Sequence, residues 1–465
     1  MTPIRTETDS LGPMSVPAEA LYGAQTARAV ENFPISGWTL PAEVIRALGL
    51  VKQAAAIVNK SAGRLPGKIA DAVIAAAGEV AEGKLLDHFP LDVFQTGSGT
   101  STNMNANEVI ANRAIRLLGG SAGDKGLVHP NDHVNMGQSS NDAIPTAIHV
   151  AAALAIHERL APAVRGLIEE LKRKAAEMDA VVKIGRTHLM DAVPIRLGQE
   201  FSGYAAQVEQ AGRRLATAAV GLCELAIGGT AVGTGRNAPK DFARDVCRIL
   251  AEKSGLPFVE AANHFAAQAS LDAAVAVMAS LKGLALVMGK IASDLRLLAS
   301  GPRCGLAEIV LPATQPGSSI MPGKVNPVIC ESVIQVACQV VGCEAAVTAG
   351  GMGGVGGILE LNLAMPLVAW NLLTAIRLLA SVSEVFTSRC LRGLKADEAR
   401  CRQLIEQSLS MVTVLAPRIG YDAAAKIAQE AMASGKTVRQ VCQERNVLPA
   451  AELEKLLDPR TQTGG

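Results

Sequence analysis

Apolar positions recur at helical spacing through five stretches of the chain, and polar, glycine-punctuated segments separate them. After Ser139-Ser140-Asn141-Asp142, Pro145 sits where a first helical turn tolerates it, and Leu160, Val164, Leu167, Ile168 and Leu171 keep a helical period. Ser140 or Asn141 supplies a cap, and the helix runs for about 35 residues, roughly 50 Å long. Leu197, Phe201, Tyr204, Val208, Ala211, Leu215 and Leu222 mark a second helix. Leu271, Val275, Met278, Leu281, Met288, Ile291, Leu295 and Leu298 mark a third, stopped by Gly301-Pro302. Pro327 to about Val347 and Val368 to Val385 supply two more. Helices of this length need partners of equal length, so the pattern predicts an all-α fold with a central bundle of five long helices. Short helices and loops occupy 1–137, the bundle takes 138–395, and the charged, shorter-period stretch 396–465 reads as a small helical C-terminal domain.

Composition sharpens this picture. Of 465 residues 49% are hydrophobic but only 3% aromatic, so the core must be built from small aliphatic side chains that let helices approach closely. A formal net charge of +1 argues against nucleic acid or an anionic membrane surface as the main partner. Met1 to Ser10 is polar, and no uninterrupted apolar run reaches about 18 residues, which predicts a cytoplasmic protein with no membrane association. Nine cysteines, an odd number with no C-x-x-C pair, read as reduced and mostly buried thiols.

Candidate chemistry concentrates in the polar segments. Gly317-Ser318-Ser319-Ile320-Met321-Pro322-Gly323-Lys324-Val325-Asn326-Pro327 cannot be regular helix or interior strand, so its amides can face a ligand beside two hydroxyls, one cation and one carboxamide. That set suits an anion and implies no cofactor and no metal. Gln95 to Asn105, with Ser98, Gly99 and Thr100, precedes a helix read from Glu108 to Leu118 and is either an anion site or an elaborate cap. His129-Pro130-Asn131-Asp132 is a surface loop by default, and no third ligand joins His129 and His133. His188, in Gly185 to Pro194, is either structural or catalytic. Glu331, on the first turn after Pro327, is either a carboxylate orienter or an ordinary favourable charge at a helix N-terminus. Gly351 to Gly356 fits G-x-G-x-x-G without a preceding strand, and Gly317 to Lys324 is a poor P-loop, so no nucleotide is implied.

The Gly317–Pro327 loop resembles the signature loop of the fumarase/aspartase superfamily, and the resemblance extends over nearly the whole chain, including Pro17 to Thr26. It implies a three-domain fold, a homotetramer with a twenty-helix core and active sites shared between subunits. It also implies a small dicarboxylate substrate. On the matching positions Ser318 exchanges the carbon-bound proton while His188, paired with Glu331, manages water. Ser98, Gly99, Thr100, Ser139, Ser140, Asn141, Thr187, Ser319, Lys324, Val325 and Asn326 bind substrate, and His129, Pro130, Asn131 and Asp132 form an accessory anion site. Ser98, Ser140, the His129 tetrad, Gly301-Pro302-Arg303-Cys304-Gly305 and Cys330-Glu331 look like the class II fumarase branch, which hydrates fumarate to (S)-malate. Asn32 to Ile35, Val193 to Ile195 and Glu308 to Pro316 lean toward an ammonia-lyase. Met190, where the family usually has Gln, and 356–366 depart from the pattern and bear on substrate range. A non-catalytic structural role is the remaining alternative.

Overall fold

In the computed structural model, which describes residues 3–464, the five apolar stretches are helices: Ser140–Glu177, Leu197–Ala219, Asp272–Leu298, Val328–Gly351 and Met365–Leu391. The fold is all-α, and its β structure is limited to short two-stranded pairs among the described residues. Two compact units emerge, one of Met1–Pro162, Arg213–Ala285 and Cys338–Ala380, the other of Ala163–Gly212, Leu286–Ala337 and Ser381–Gly465. Each holds a segment of all five long helices.

In the first unit the helices meet through small side chains. A Cβ on Gly350 would lie 2.8 Å from a methyl of Val368, and one on Gly351 2.7 Å from a methyl of Val275, so glycine is what lets these helices touch. A further helix, Thr100–Leu117, begins well before the predicted Glu108. Asn103, Asn105 and Asn107 hid it, because each is a buried polar residue where a core stripe should be apolar. Their amides are used: Asn105 donates to the His88 carbonyl at 2.9 Å and Asn103 to Asn135 Oδ1 at 3.2 Å. Glu108, also buried, accepts from the N–H groups of Gly23, Gln25 and Thr26 and from the Thr26 hydroxyl, at 2.7–3.1 Å. This docks the Pro17–Thr26 segment, which has no chemical logic in the sequence, against the helix that follows the Ser98 loop.

In the second unit the stretch expected as a loop around His188 is a hairpin, Val182–Thr187 paired with Met190–Arg196. Ile184 buries in a cluster with Ile405, Leu415, Ile427, Val441 and Leu453 of the C-terminal helices. Glu308, fully buried, receives Arg186 at 2.8 Å and Lys183 at 3.3 Å, and Lys183 reaches Glu200 at 3.3 Å as well. The hairpin is therefore fastened by apolar burial on one strand residue and by buried charge on its neighbours.

Four of the long helices are long and apolar enough to cross a membrane by length and composition. In the most apolar window of Val328–Gly351 only 22% of residues are buried within the chain.

Glu308→Ala should lower stability by about 3–5 kcal/mol, because it leaves Lys183 and Arg186 without their shared carboxylate. Calorimetry of the variant against wild type checks this, and an unchanged thermal midpoint would show that the hairpin does not depend on the buried charges.

Candidate active site

Two constellations form, one in each unit. In the first, the Thr100 helix starts after Gly99, whose φ of +70° turns the chain sharply. Thr100 Oγ1 then lies 2.7 Å from Ser98 Oγ and 2.7 Å from Ser140 Oγ, joining two segments forty residues apart. Ser139, not Ser140 or Asn141, is the cap of the long helix: its side chain accepts from the Asn141 N–H at 3.2 Å while Asp142 accepts the Ser139 N–H at 2.9 Å. The extended backbone at Ser139 is what makes this reciprocal box possible, and it frees the Ser140 hydroxyl to face Thr100. The N–H groups of Thr100, Ser101 and Ser140 have no protein acceptor among the described residues. Three hydroxyls and the open amides of two helix N-termini are a donor set that can hold an anion. Asn141 donates its amide to the Ala231 carbonyl at 2.8 Å.

A cleft of about 600 Å³ is lined by Thr100, Ser139 and Ser140 together with Asn131 and Asp132 of the accessory tetrad. Arg64 and Arg236 line it too. Neither was signalled in the sequence, since a lone arginine outside any motif looks like any other surface charge. His129 caps the short turn Pro130–Val134, its Nδ1 accepting from the N–H groups of Asn131 and Asp132 at 3.2 Å, while His133 Nδ1 accepts the His129 N–H at 2.9 Å. Nδ1 of each imidazole is thus committed to the local backbone.

Behind the hydroxyls lie two fully buried charges, Asp142 and Lys52. Burial raises the Asp142 carboxyl from 3.8 to about 6, against the N–H groups of Ser139, Thr230 and Gly228 that favour its charged form. Burial likewise drops Lys52 from 10.5 to about 7, opposed by the charge of Asp142. Lys52 Nζ donates to Asn135 Oδ1 at 2.8 Å, which also receives Asn103, so the pair stiffens the floor of the cleft.

In the second unit the Gly317–Asn326 loop closes on itself. The Gly317 N–H donates to the Lys324 carbonyl at 3.0 Å, and the Asn326 amide donates to the Gly317 carbonyl at 2.7 Å. A Cβ on Gly317 would sit 2.8 Å from the Asn326 nitrogen, so only glycine closes this ring. Inside it, Ser318 Oγ accepts from the N–H groups of Ile320 at 3.2 Å and Met321 at 2.9 Å. Ser318 is half-buried, whereas Ser319, Lys324 and Val325 are exposed. Glu331 is half-buried on the first turn of Val328–Gly351.

His188 and Leu189 occupy the tip of the hairpin with φ of +54° and +62°. Two successive left-handed residues match the tight turn that a two-residue hairpin needs, yet neither is glycine, so the turn is strained and holds the imidazole outward. Thr187 and His188 are exposed, and no hydrogen bond or ion pair joins His188 to Glu331 among the described residues.

Long helices that end in polar, amide-rich loops, with a braced serine on one of them, are the frame of this chain, and its family match makes it a lyase. Residues 12–342 match the family described as Lyase, and residues 411–464 the one described as Fumarase C C-terminus. A class II fumarate hydratase of Bradyrhizobium diazoefficiens is 52% identical over 99% of this chain and 96% of its own length. The mitochondrial fumarate hydratase of Rattus norvegicus is 51% identical over 99% of this chain and 90% of its own. The crystal structure of a class II fumarase from Schistosoma mansoni superposes with a TM-score of 0.94 at 41% identity, covering 98% of each chain. The chain belongs to the class II fumarate hydratase family.

Asp142 binds its proton more tightly folded, at about 6, than at its ordinary 3.8, so the stability it contributes is present below 3.8 and lost as pH rises through 6. The thermal midpoint of wild type relative to Asp142→Asn should therefore fall as pH rises from about 4 to about 6. A midpoint difference that stays constant across that window would show that Asp142 does not hold a raised pKa.

Proposed function

We propose that this chain is a fumarate hydratase that adds water across the double bond of fumarate to give (S)-malate, and that it works as a homotetramer with active sites shared between subunits. The observation that carries the chemistry is the pair of backbone N–H groups on Ser318 Oγ. Removing a proton from carbon beside a carboxylate is the hard step of dehydration, and a serine hydroxyl is a base for it only when its oxyanion is held by donors. Two amides, with Lys324 on the same loop, supply that support. On this reading Ser318 takes and returns the carbon-bound proton, while His188, oriented by Glu331, handles the proton of water.

The intermediate carries its extra charge into the neighbouring carboxylate, and each well-placed donor to that charge contributes about 3 kcal/mol. Ser98, Gly99, Thr100, Ser139, Ser140 and Asn141 hold one carboxylate by hydroxyls, amides and helix ends. Thr187, Ser319, Lys324, Val325 and Asn326 hold the other. His129 to Asp132 form the accessory anion site, of which Asn131 and Asp132 line the same cleft as Thr100 and Ser140.

The tetramer is supported by the uncovered face of Val328–Gly351. Cys338, Gly342, Ala345 and Ala349 are small and uncharged, and each is exposed at the three- and four-residue spacing of a helix-packing seam. Copies of the chain cover such a seam closely. The same reading makes the protein a soluble cytoplasmic enzyme with three domains at 1–137, 138–395 and 396–465.

Purified protein given fumarate without ammonium should form malate; aspartate formed only with ammonium would move the assignment to an ammonia-lyase. Ser318→Ala should reduce turnover to background while the oligomer stays intact by light scattering, and near-normal activity would remove Ser318 as the base. Mixing a His188→Asn chain with a Ser318→Ala chain under conditions of subunit exchange should restore part of the activity. Mixed oligomers that stay inactive would place each whole site within one chain.

A further inference from the structure

Cys330 and Cys390 stand apart from the other seven cysteines. Their Sγ atoms are 3.8 Å apart and both residues are buried, the one thiol pair in contact among the described residues. Cys330 is the third residue of Val328–Gly351, separated from Asn326-Pro327 by Val328 and Ile329 and immediately before Glu331. Cys390 lies in the last turn of Met365–Leu391. Beside both sulfurs is a void of about 10 Å³, also lined by Asn326, Pro327 and Arg389. That is at the lower limit for a water molecule, so hydrogen peroxide, with two oxygens, reaches the sulfurs when the site opens beyond this size.

The two thiols differ in character. Hydrogen bonding with Cys390 holds the Cys330 thiol below its ordinary pKa, with the charge of Arg296 acting the same way, while the same contact and burial push Cys390 up. One sulfur is thus the better nucleophile and the other a resident thiol.

We propose that Cys330 and Cys390 form an oxidation site, a dithiol that hydrogen peroxide closes to a disulfide and that thereby displaces the first turn carrying Glu331. The Cys330 thiolate attacks one peroxide oxygen, the O–O bond breaks, and the departing hydroxide takes up the proton that the Cys330 thiol had released, leaving as water with a sulfenic acid on Cys330. The Cys390 sulfur then attacks that sulfenic sulfur, the S–O bond breaks, and a second water carries off the thiol proton. Peroxide is the two-electron acceptor and both thiols are oxidised. A disulfide is about 2.0 Å long, so the sulfurs must approach by roughly 1.8 Å more. The long helix of Cys390 is packed along its length, and the first turn of the Cys330 helix ends in the irregular Gly317–Asn326 loop, so the turn moves. Glu331 and Asn326 move with it. The effect on activity rests on the proposed function, whereas the chemistry of the site does not.

The test treats the full-length protein with hydrogen peroxide, blocks free thiols and maps peptides without reduction. The expected result is a linked peptide pair containing Cys330 and Cys390, lighter by two hydrogens, with malate formation lost in step with the linked fraction and restored by dithiothreitol. Cys390→Ala, and independently Cys330→Ala, should yield no linked pair. Oxidation of exposed Cys304 with both buried thiols still free overturns the site. Conversion of Cys330 to sulfinic acid without linkage does the same. Full linkage with unchanged turnover overturns the displacement of Glu331, and equal inactivation of Cys390→Ala assigns the loss to another thiol. A wild type that makes no malate before treatment fails the hydratase reading alone, because the linked peptides are read without activity.

Discussion

The structure depends on covering the apolar stripes of five long helices with side chains that are almost all aliphatic. With aromatics at 3%, few side chains can bridge a gap between helices, and the backbones must come close. Gly350 and Gly351 show how: each stands where a methyl of a neighbouring helix leaves no room for a Cβ. Close approach orders the helices along their whole length and leaves irregular backbone only at their ends. The ends are therefore where unpaired N–H groups collect, and there the candidate chemistry sits, at Thr100, at Ser140 and in the Gly317–Asn326 loop.

What the sequence reveals about this arrangement follows from how local each signal is. A helix of more than twenty residues repeats its apolar period often enough to outweigh local irregularities, so all five long helices are legible with their approximate ends. The Thr100 helix is legible only from Glu108 onward, because its first turns bury Asn103, Asn105 and Asn107 among the apolar positions, and the partners of its polar side chains at Leu21, Gly23, Thr26, His88 and Asn135 are distant in sequence. The hairpin around His188 is not legible. Pro194 and a register shift between Ile184 and Arg186 break its alternation, and what holds it is Glu308, over a hundred residues away. The site's motifs could be named from their residue types, but the meeting of Thr100 with Ser140, the capping role of Ser139 and the presence of Arg64 and Arg236 in the cleft needed the fold.

Strain and anchoring are coupled at the hairpin tip. Holding His188 and Leu189 in the left-handed region costs on the order of 1–3 kcal/mol each, so an unsupported turn would relax. Burial of Ile184 and the Lys183–Glu308–Arg186 charges oppose that relaxation and keep the imidazole projecting from the protein. The Gly317–Asn326 loop reaches a similar end by another route. It has little apolar burial, and its shape is set by its own amides and carbonyls, with the Ser318 hydroxyl used as an acceptor inside the ring.

The exposure of these groups in the single chain connects the chemistry to assembly. His188, Thr187, Ser319 and Lys324 face solvent, where water screens every charge they bring to bear. Abstracting a proton from carbon calls for the opposite, an enclosed site in which donors act at low dielectric. The chain also leaves most of its most apolar Val328–Gly351 window uncovered, and that helix begins at the Ser318 loop. In the proposed tetramer, covering this helix with further copies of the chain would bring other protein surface up to its ends. Burial of the helix and enclosure of the loop at its start would there be two results of one association, driven by the larger apolar area of the helix.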